Sequence, residues 1–430
     1  MKRKINIVTL GCSKNVVDSE KLLGSLRLAG YSIGWDPEDT CADTVIINTC
    51  GFINDAKEES IDTILRFVNA KKSGSVRNLY VMGCLSQRYK DELRREIPEV
   101  DSYFGVNNPD ELLEKTGAGC IGSSSNNRIL TNPGHYAYLK ISEGCNRSCS
   151  FCAIPSIRGR YTSRSLEDLE DEAEKLADLG VKEIILVAQD LGYYGLDLYG
   201  KRKLPDLIKN LLKTGNFSWI RLHYLYPDYF PDEIIALMRD NQQICRYIDI
   251  PIQHVSEKML RLMKRSYGRR ELEDILYRLK EQLPDAAFRT TLISGHPGET
   301  DDDHREMLEF VKQFRFDRLG VFRYSHEEGT YSGDNFKDSI SERIKESRVS
   351  ELMAIQQSIS LERNSALIGR TMKVLIDRKE NEFYTGRTEH DSPEVDQEIL
   401  VSVKYDLTPG NFYDIRISRS AEFDLIGIPV

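Results

Sequence analysis

The sequence predicts an α/β protein with three domains: an N-terminal domain with a parallel sheet, a central open (β/α)6 barrel, and a small all-β barrel at the C-terminus. Three observations predict this order. Short apolar segments alternate with amphipathic helical segments as far as about residue 365. A Gly-, Ser- and Asn-rich stretch, Gly117–Asn127, interrupts that alternation and is typical of a linker. Beyond residue 365, strand-like alternation replaces the helices. We therefore place the domains at residues 1–125, 132–365 and 366–430.

The composition is typical of a globular protein in a reducing compartment. Of the 430 residues, 40% are hydrophobic and 30% are charged, and the formal net charge is -9. A nucleic-acid-binding protein usually carries a basic excess, so we expect no direct tRNA binding, with a local basic patch left open. The odd number of cysteines, nine, argues against a secreted disulfide framework and favours the cytoplasm. No apolar stretch is long enough to cross a bilayer, so no membrane association is expected.

Three N-terminal segments share one pattern. INIVTLGC, TVIINTC and LYVMGC are short β-branched runs that end at Cys12, Cys50 and Cys84, with helical segments between them. The carboxyl ends of parallel strands line up along one edge of a sheet, so we expect the three thiols to converge there. A small core thiol is the ordinary alternative for one cysteine, and it is less favoured for three cysteines at equivalent strand ends. The cysteines without such a pattern, which are assigned to that ordinary role, are Cys41, Cys120 and Cys245.

Six apolar runs predict the strands of the central barrel. They are YAYLKI, EIILVAQD, WIRLHYL, YIDIPIQ, FRTTLISG and RLGVFRYS, and amphipathic segments separate most of them. In such a barrel the carboxyl ends of the strands form the site. Polar residues at those ends either face a ligand or are buried groups with partners inside the protein. They are Gln189, Asp190, Asp249, Gln253 and His254.

Helix boundaries are clearest between Ser165 and Gly180. Ser165 is predicted to be the N-cap, Asp168 stands three residues later, and Gly180 ends the helix. A charged, periodic stretch, Ser341–Ser365, predicts a helix that leads into the last domain. Acidic residues outnumber basic ones between residues 369 and 430, which is the reverse of a nucleic-acid-binding barrel.

The most informative stretch is SEGCNRSCSFCAIPSIRGR, which places Cys145, Cys149 and Cys152 within eight residues. A zinc site would need a fourth ligand or an open position, and His135 is too far upstream to be an obvious ligand. Three thiolates suit a [4Fe-4S] cluster whose fourth iron stays open, because thiolates select iron–sulfur centres. Zinc and structural core thiols remain the alternatives. The arginines that follow, which either contact a carboxylate or are ordinary surface residues, are Arg158, Arg160 and Arg164.

CNRSCSFC, with an aromatic residue before its last cysteine, resembles the signature loop of the radical S-adenosylmethionine enzymes. GHPGET further along the chain adds to that resemblance. The resemblance implies that Cys145, Cys149 and Cys152 bind a [4Fe-4S] cluster whose open iron chelates S-adenosylmethionine, with Phe151 close to the adenine. The further candidates for contacts with this cofactor are Gln189, Gln253 and Gly295.

The resemblance covers the whole chain. TLGCSKNVVDSE, INTCGFINDAKEES and VMGCLSQRY are similar to the N-terminal domain of the methylthiotransferases, and the final barrel is similar to their TRAM domain. In that family the N-terminal cysteines hold a second [4Fe-4S] cluster, carried over here to Cys12, Cys50 and Cys84. The family consumes two molecules of S-adenosylmethionine, one as methyl donor and one as radical source. The implied source of electrons is a flavodoxin or a ferredoxin.

Two motifs favour one branch of that family. RLHYLYP and YSHEEGT resemble the enzymes that act on ribosomal protein S-twelve, where the implied target is the β-carbon of an aspartate. Glu327 and Glu328 would repel a phosphate backbone, and the acidic C-terminal barrel would attract a basic ribosomal protein. The alternatives are the same reaction on a tRNA adenosine and a non-enzymatic zinc or iron–sulfur module on the ribosome. The departures from the family pattern are His296, in place of an apolar aromatic residue, and Tyr331, in place of a proline.

Overall fold

The structure confirms the predicted fold class. It is a computed structural model that describes residues 4–35, 38, 42–106, 108–119 and 127–430. A five-stranded parallel sheet, two three-stranded parallel sheets and a closed five-stranded barrel follow one another along the chain. Cys41, Cys120 and most of the predicted linker lie outside the described residues. None of the described helices has the length and apolarity of a membrane span.

The described part of the N-terminal domain contains five strands and five helices. The strands are β1 (Lys4–Thr9), β2 (Ser32–Gly34), β3 (Thr44–Thr49), β4 (Asn78–Gly83) and β5 (Ser102–Tyr103). The helices are α1 (Ser13–Leu28), α2 (Asn54–Lys72), α3 (Cys84–Arg88), α4 (Lys90–Glu96) and α5 (Pro109–Thr116). The strand order is β2-β1-β3-β4-β5, and every neighbouring pair is parallel. Apolar clusters lie on both faces of this sheet, which explains why the central strands read as continuous apolar runs.

The central domain is the predicted open barrel. Its six main strands are β6 (Tyr136–Lys140), β9 (Glu183–Val187), β10 (Trp219–Leu222), β11 (Tyr247–Asp249), β12 (Ala287–Ser294) and β13 (Arg318–Arg323). They form the parallel sheets β10-β9-β6 and β11-β12-β13, which a parallel bridge between Ile220 and Ile244 joins. A short antiparallel ribbon of β7 (Ser142–Glu143) and β8 (Thr162–Ser163) flanks the cysteine loop.

Ten helices belong to this domain and its C-terminal connection. The helices are α6 (Ile154–Arg158), α7 (Leu166–Asp178), α8 (Leu196–Tyr199), α9 (Leu204–Thr214), α10 (Asp232–Asp240), α11 (Glu257–Leu262), α12 (Arg269–Gln282), α13 (Asp301–Phe314), α14 (Tyr331–Asn335) and α15 (Glu342–Ser365). Helix α7 begins as predicted, because the Asp168 N–H donates to Ser165 Oγ at 3.1 Å. Gly180 follows that helix with a φ of +87°, a left-handed conformation that glycine adopts without strain.

Successive residues of the barrel strands point to opposite sides. Ala137 and Leu139 pack against α7 and its neighbours on the outside of the barrel. Tyr136 and Tyr138 point inward, where Val17 of α1 packs against them. The N-terminal domain therefore inserts its first helix against the inner surface of the barrel, and the two domains share one interior.

The C-terminal domain is a closed all-β barrel, as predicted. Its strands are β14 (Thr371–Glu380), β15 (Phe383–Arg387), β16 (Glu398–Ser402), β17 (Phe412–Ser420) and β18 (Asp424–Pro429), in the order β14-β15-β16-β18-β17. Its loop between β15 and β16 reaches the inward-facing residues of the central barrel. Asp391 pairs with Arg318, and Asp396 lies 3.4 Å from Arg289. These two acidic side chains bind the neighbouring domain, so they do not contribute to the acidic surface that was expected to attract a basic ribosomal protein.

Candidate functional site

The three N-terminal cysteines come together at the carboxyl edge of their sheet. Cys12 follows β1, Cys50 follows β3, and Cys84 begins α3 directly after β4. Gly11 has a φ of +94°, and a Cβ on it would lie only 2.8 Å from the Cβ of Cys50. The glycine therefore lets the segment that carries Cys12 approach Cys50 closely. We call Cys12, Cys50 and Cys84 the N-terminal trio.

Burial keeps two of these thiols protonated when no cation is bound. It raises the pKa of Cys84 to about 12, and it raises the pKa of Cys50 as well. Repulsion from neighbouring thiolates of the same trio adds to both shifts. Metal ions displace such protons, because thiolates rather than thiols are the ligands. The donor set thus fits a soft, positively charged group such as an iron–sulfur cluster.

Arg158 connects the N-terminal trio to the barrel. Its side chain is only 1% exposed, and its Nη2 donates to Asn15 Oδ1 at 2.6 Å. Asn15 in turn donates to the carbonyl oxygens of Leu10 and Thr49, which lie next to the trio. Attraction to the thiolates of the trio is among the causes that raise the pKa of Arg158. Arg158 also pairs with Glu143 at 2.8 Å and with Asp18 at 3.3 Å, so of its two expected roles the structure shows contact with a carboxylate and not an ordinary surface position.

The other two arginines after the cysteine loop differ from each other. Arg164 pairs with Asp168 at 2.6 Å and with Glu172 at 2.6 Å, so it too is an internal partner and not a surface residue. Arg160 is exposed, as expected of a surface residue. No described contact gives either of them a role at the site.

Cys145, Cys149 and Cys152, the barrel trio, lie on the loop between β7 and α6 and are each partly exposed. Burial raises the pKa of Cys145 to about 11 and also raises the pKa of Cys152, with repulsion from Cys149 a further cause for both. The N–H of Arg147 points at Cys145 Sγ, 3.4 Å away. Amide N–H groups directed at sulfur are the surroundings that iron–sulfur clusters use, so this trio also fits the implied group.

Arg265 donates to the barrel trio from a distant part of the chain. Its Nη1 lies 3.4 Å from Cys149 Sγ, and its Nη2 donates to the Pro251 carbonyl oxygen at 2.8 Å. Its guanidinium lies 4.2 Å from the ring centre of Tyr226, and the guanidinium of Arg147 lies 3.8 Å from the same ring centre. Sequence reasoning missed Arg265, because 116 residues separate it from Cys149 and no motif connects them.

The two trios lie on neighbouring surfaces. Cys84 packs against Ala153 and Ile157, which directly follow the barrel trio along the chain. Helix α6, ending in Arg158, thus stands between the two groups of thiols. Within the described ranges, no group of three or more His, Cys, Asp or Glu side chains is arranged to hold a single metal ion.

A hydrogen-bond chain supports the loop of the barrel trio. Ser150, between two of its cysteines, donates to the Leu262 carbonyl oxygen at 2.8 Å and contacts Ser332 Oγ at 2.8 Å. Ser332 also lies 2.8 Å from His296 Nε2. Burial lowers the pKa of His296 to about 4, so its ring is neutral at neutral pH. The departure from the family pattern at this position therefore adds a polar contact beneath the loop.

Several predicted strand-end residues have partners inside the protein. Asp190 accepts from Arg147 Nε at 2.9 Å, and Asp249 accepts from Arg289 Nη1 at 3.0 Å. His254 is fully buried and accepts the N–H groups of the next two residues, so it has a structural role. Each of these groups thus has a partner inside the protein, which is the second of the two expectations, while Asp190 Oδ1 and His254 Nε2 have no hydrogen-bond partner among the described residues.

Gln189, Gln253 and Phe151 are half-buried at the barrel mouth, which leaves them as candidates for cofactor contact. Gln253 has a φ of +71°, a strained conformation for a residue with a side chain. Gly295, also left-handed at +82°, would place a Cβ 2.3 Å from Lys345 Cγ, so its close contact is with a side chain of α15. Cys245 is 1% exposed in an apolar cluster and is the core thiol that was predicted.

Glu327 is not the exposed acid that the sequence suggested. It is 3% exposed and accepts from Lys57 Nζ at 2.9 Å and from Arg88 Nη1 at 2.5 Å. Both cations belong to the N-terminal domain, so this carboxylate fastens that domain to the barrel. It therefore gives no reason to exclude a phosphate backbone, and only Glu328 remains exposed. Tyr331 is 45% exposed beneath the ammonium of Lys264.

Comparisons with known proteins agree along the whole length of the chain. The model described as radical SAM superfamily matches residues 139–311, and the TRAM domain model matches residues 368–430. A model described as uncharacterized protein family UPF0004 matches residues 4–105. The N-terminal trio lies within that last range, and the barrel trio lies within the first.

Curated relatives align over nearly the full chain. The "Ribosomal protein uS12 methylthiotransferase RimO" of Cytophaga hutchinsonii is 52% identical over 99% of this chain and 98% of its own length. The protein of the same name from Bacteroides fragilis is 51% identical over 99% of both chains. Among solved structures, the chain is similar to the radical S-adenosylmethionine methyltransferase TsrM of Kitasatospora setae, which was solved with cobalamin and a [4Fe-4S] cluster bound. The two chains are 15% identical over 77% of each, with a TM-score of 0.55. That last similarity concerns the fold alone.

Proposed function

Because the chain belongs to the RimO family of ribosomal protein uS12 methylthiotransferases, we propose that it attaches a methylthio group to the β-carbon of an aspartate in uS12. The observation that carries this proposal is the adjacency of the two cysteine trios across α6. One trio would generate the radical, and the other would present the sulfur. Relatives that are about 50% identical over nearly the full chain are named for uS12, which favours this substrate over a tRNA adenosine.

The chemistry explains why two such groups are needed. A hydrogen on an unactivated carbon is not acidic, so a side-chain base cannot remove it. A [4Fe-4S] cluster held by the barrel trio would supply one-electron chemistry with S-adenosylmethionine, and radical chemistry of that kind can remove a hydrogen atom that is not acidic. We assign Cys145, Cys149 and Cys152 to that cluster, and Cys12, Cys50 and Cys84 to a second one.

The chain's own residues would position and tune these groups. Arg265 would donate to the thiolate of Cys149, and the N–H of Arg147 would donate to Cys145. Arg158 would place positive charge beside the N-terminal trio. Phe151, Gln189 and Gln253 would surround S-adenosylmethionine at the barrel mouth. Helix α1, packed on the inner barrel surface, would exclude water from the space between the trios.

The direct test is transfer by the reconstituted protein under anaerobic conditions. Purified protein would receive iron, sulfide, S-adenosylmethionine and a low-potential reductant, with either uS12 or tRNA as acceptor. We expect mass spectrometry to find one methylthio group on an aspartate of uS12 and none on tRNA. Transfer to tRNA alone would contradict the proposed substrate, and zinc without sulfide in the purified protein would contradict the chemistry.

Variants assign the cysteines. Cys149→Ala is expected to abolish cleavage of S-adenosylmethionine to deoxyadenosine. Cys245→Ala is the matched control, because it removes a buried thiol outside both trios. Deoxyadenosine formation that persists in Cys149→Ala would overturn the assignment of the barrel trio.

A further inference from the structure

We propose that Lys14 binds a carboxylate in the space between the two cysteine trios. This inference rests on the proposed function, because that function supplies the carboxylates. Lys14 stands two residues after Cys12, in the first turn of α1, and is 4% exposed. Its ammonium lies over the ring of Tyr224, 3.4 Å from the ring centre.

Lys14 differs from the other buried cations at the inner barrel surface. Lys140 pairs with Asp18 and Glu143, and Arg289 pairs with Asp249. Throughout the part of the chain that the structure describes, no Asp or Glu lies within ion-pair distance of Lys14. The interaction that the structure shows for the Lys14 ammonium is the cation–π contact with Tyr224.

An unpaired ammonium is costly to bury. Removing a lone charge from water costs more free energy than a single cation–π contact returns. The balance is unfavourable for the protein alone. An anion that arrives with a ligand would complete the ion pair, so this position is built for a negatively charged group.

The position of Tyr224 locates that group. Tyr224 is the second residue after the carboxyl end of β10 and has a φ of +62°, and its N–H donates to Asp249 Oδ2 at 3.0 Å. The carboxyl ends of barrel strands form the mouth in which ligands bind. Lys14 therefore reaches the barrel mouth from a helix turn that begins at the N-terminal trio.

Two carboxylates would enter this space during the proposed reaction. One is the side chain of the target aspartate, and the other is the carboxylate of S-adenosylmethionine. Both have the same chemistry, an oxygen pair that accepts hydrogen bonds from an ammonium.

The test measures binding without turnover. Full-length reconstituted protein, kept without reductant, is titrated with a fluorescent uS12 peptide that contains the target aspartate and with the same peptide carrying asparagine there. In parallel it is titrated with S-adenosylmethionine and with its decarboxylated analogue. The variants are Lys14→Met, which keeps the length and apolar stem, and Lys14→Arg, which keeps the charge. Lys175→Met, which removes an exposed charge on α7, is the matched control.

We expect Lys14→Met to lower the affinity for one of the two carboxylate ligands by about 10- to 100-fold, as for a lost hydrogen bond to a charged group. The affinity for the uncharged counterpart of that ligand should not change. Lys14→Arg should lose less, and Lys175→Met should match the wild type. If only the affinity for the aspartate peptide falls, Lys14 binds the substrate. If only the affinity for S-adenosylmethionine falls, Lys14 binds the cofactor. Either result supports the proposal. If Lys14→Met binds all four ligands as the wild type does, the proposal is wrong. Failure of the proposed function is separable, since the wild type would then transfer nothing to uS12. Iron content and circular dichroism establish that each variant is folded and loaded.

Discussion

Replacing Glu327 with glutamine tests the contact that fastens the N-terminal domain to the barrel. Glutamine keeps the shape of the side chain and removes its charge, so Lys57 and Arg88 are left without their shared carboxylate. Breaking a buried ion pair by removing one partner typically costs about 3–5 kcal/mol. Lys57 is 17% exposed, so water offsets part of this cost, and we expect about 3 kcal/mol. At about 1.4 kcal/mol for each factor of ten, the opening equilibrium should rise by about 100-fold.

Hydrogen exchange measures that opening directly. The amides of α3 and α6, which pack together beside the trios, should lose protection in Glu327→Gln. Glu328→Gln is the matched control, because Glu328 is exposed and only its carbonyl oxygen accepts from Arg88. Surface substitutions of that kind usually change stability by about 0.5 kcal/mol or less. Adding Lys57→Met to Glu327→Gln should restore part of the lost protection, because it removes a cation that has no carboxylate partner in Glu327→Gln. Equal protection of α3 and α6 in the two glutamine variants would refute the reasoning.

Three further outcomes are expected. Burial lowers the pKa of His296 from the ordinary 6.5 to about 4. The neutral ring therefore contributes stability that is fully present above about pH 6.5 and is lost as the pH falls toward 4. Thermal melts across that range should show a smaller loss of stability on acidification for His296→Phe than for the wild type. Arg265→Gln removes the guanidinium that donates to Cys149. The midpoint potential of the barrel cluster, measured by electron paramagnetic resonance, should then fall by on the order of 59 mV, which is a tenfold change in the reduction equilibrium. An unchanged potential would contradict that role of Arg265. Cys84→Ala should lower the iron content of the reconstituted protein from about eight atoms to about four, whereas Cys245→Ala should leave it at about eight.

Much of the architecture could be predicted because it depends on local patterns. The three strands that end in cysteines read as buried parallel strands, and parallel strands bring their carboxyl ends to one edge. The N-terminal trio follows from that rule alone. The barrel trio lies within eight residues, so covalent connection by itself keeps its members close. The boundaries of α7 follow from a side-chain cap and a terminal glycine, which are also local.

Contacts between distant parts of the chain could not be predicted in the same way. Arg265 and Cys149 are 116 residues apart, and Arg88 and Glu327 are 239 apart, yet each pair is in hydrogen-bond contact. Charge counted along the sequence does not distinguish a solvated side chain from a buried partner. For that reason the sequence did not show that Glu327 and Arg158 are buried at the junction of two domains.

The sequence by itself determined which thiols are grouped and which domains carry them, since strand ends and short loops position their residues through the backbone. Tertiary structure decided where each charge finds its partner, because an ion pair needs two side chains that the chain path alone does not bring together. Lys14 shows the difference most clearly. Its motif places it beside Cys12, and only the packing of α1 into the barrel shows that this nearly buried lysine has no carboxylate partner among the described residues.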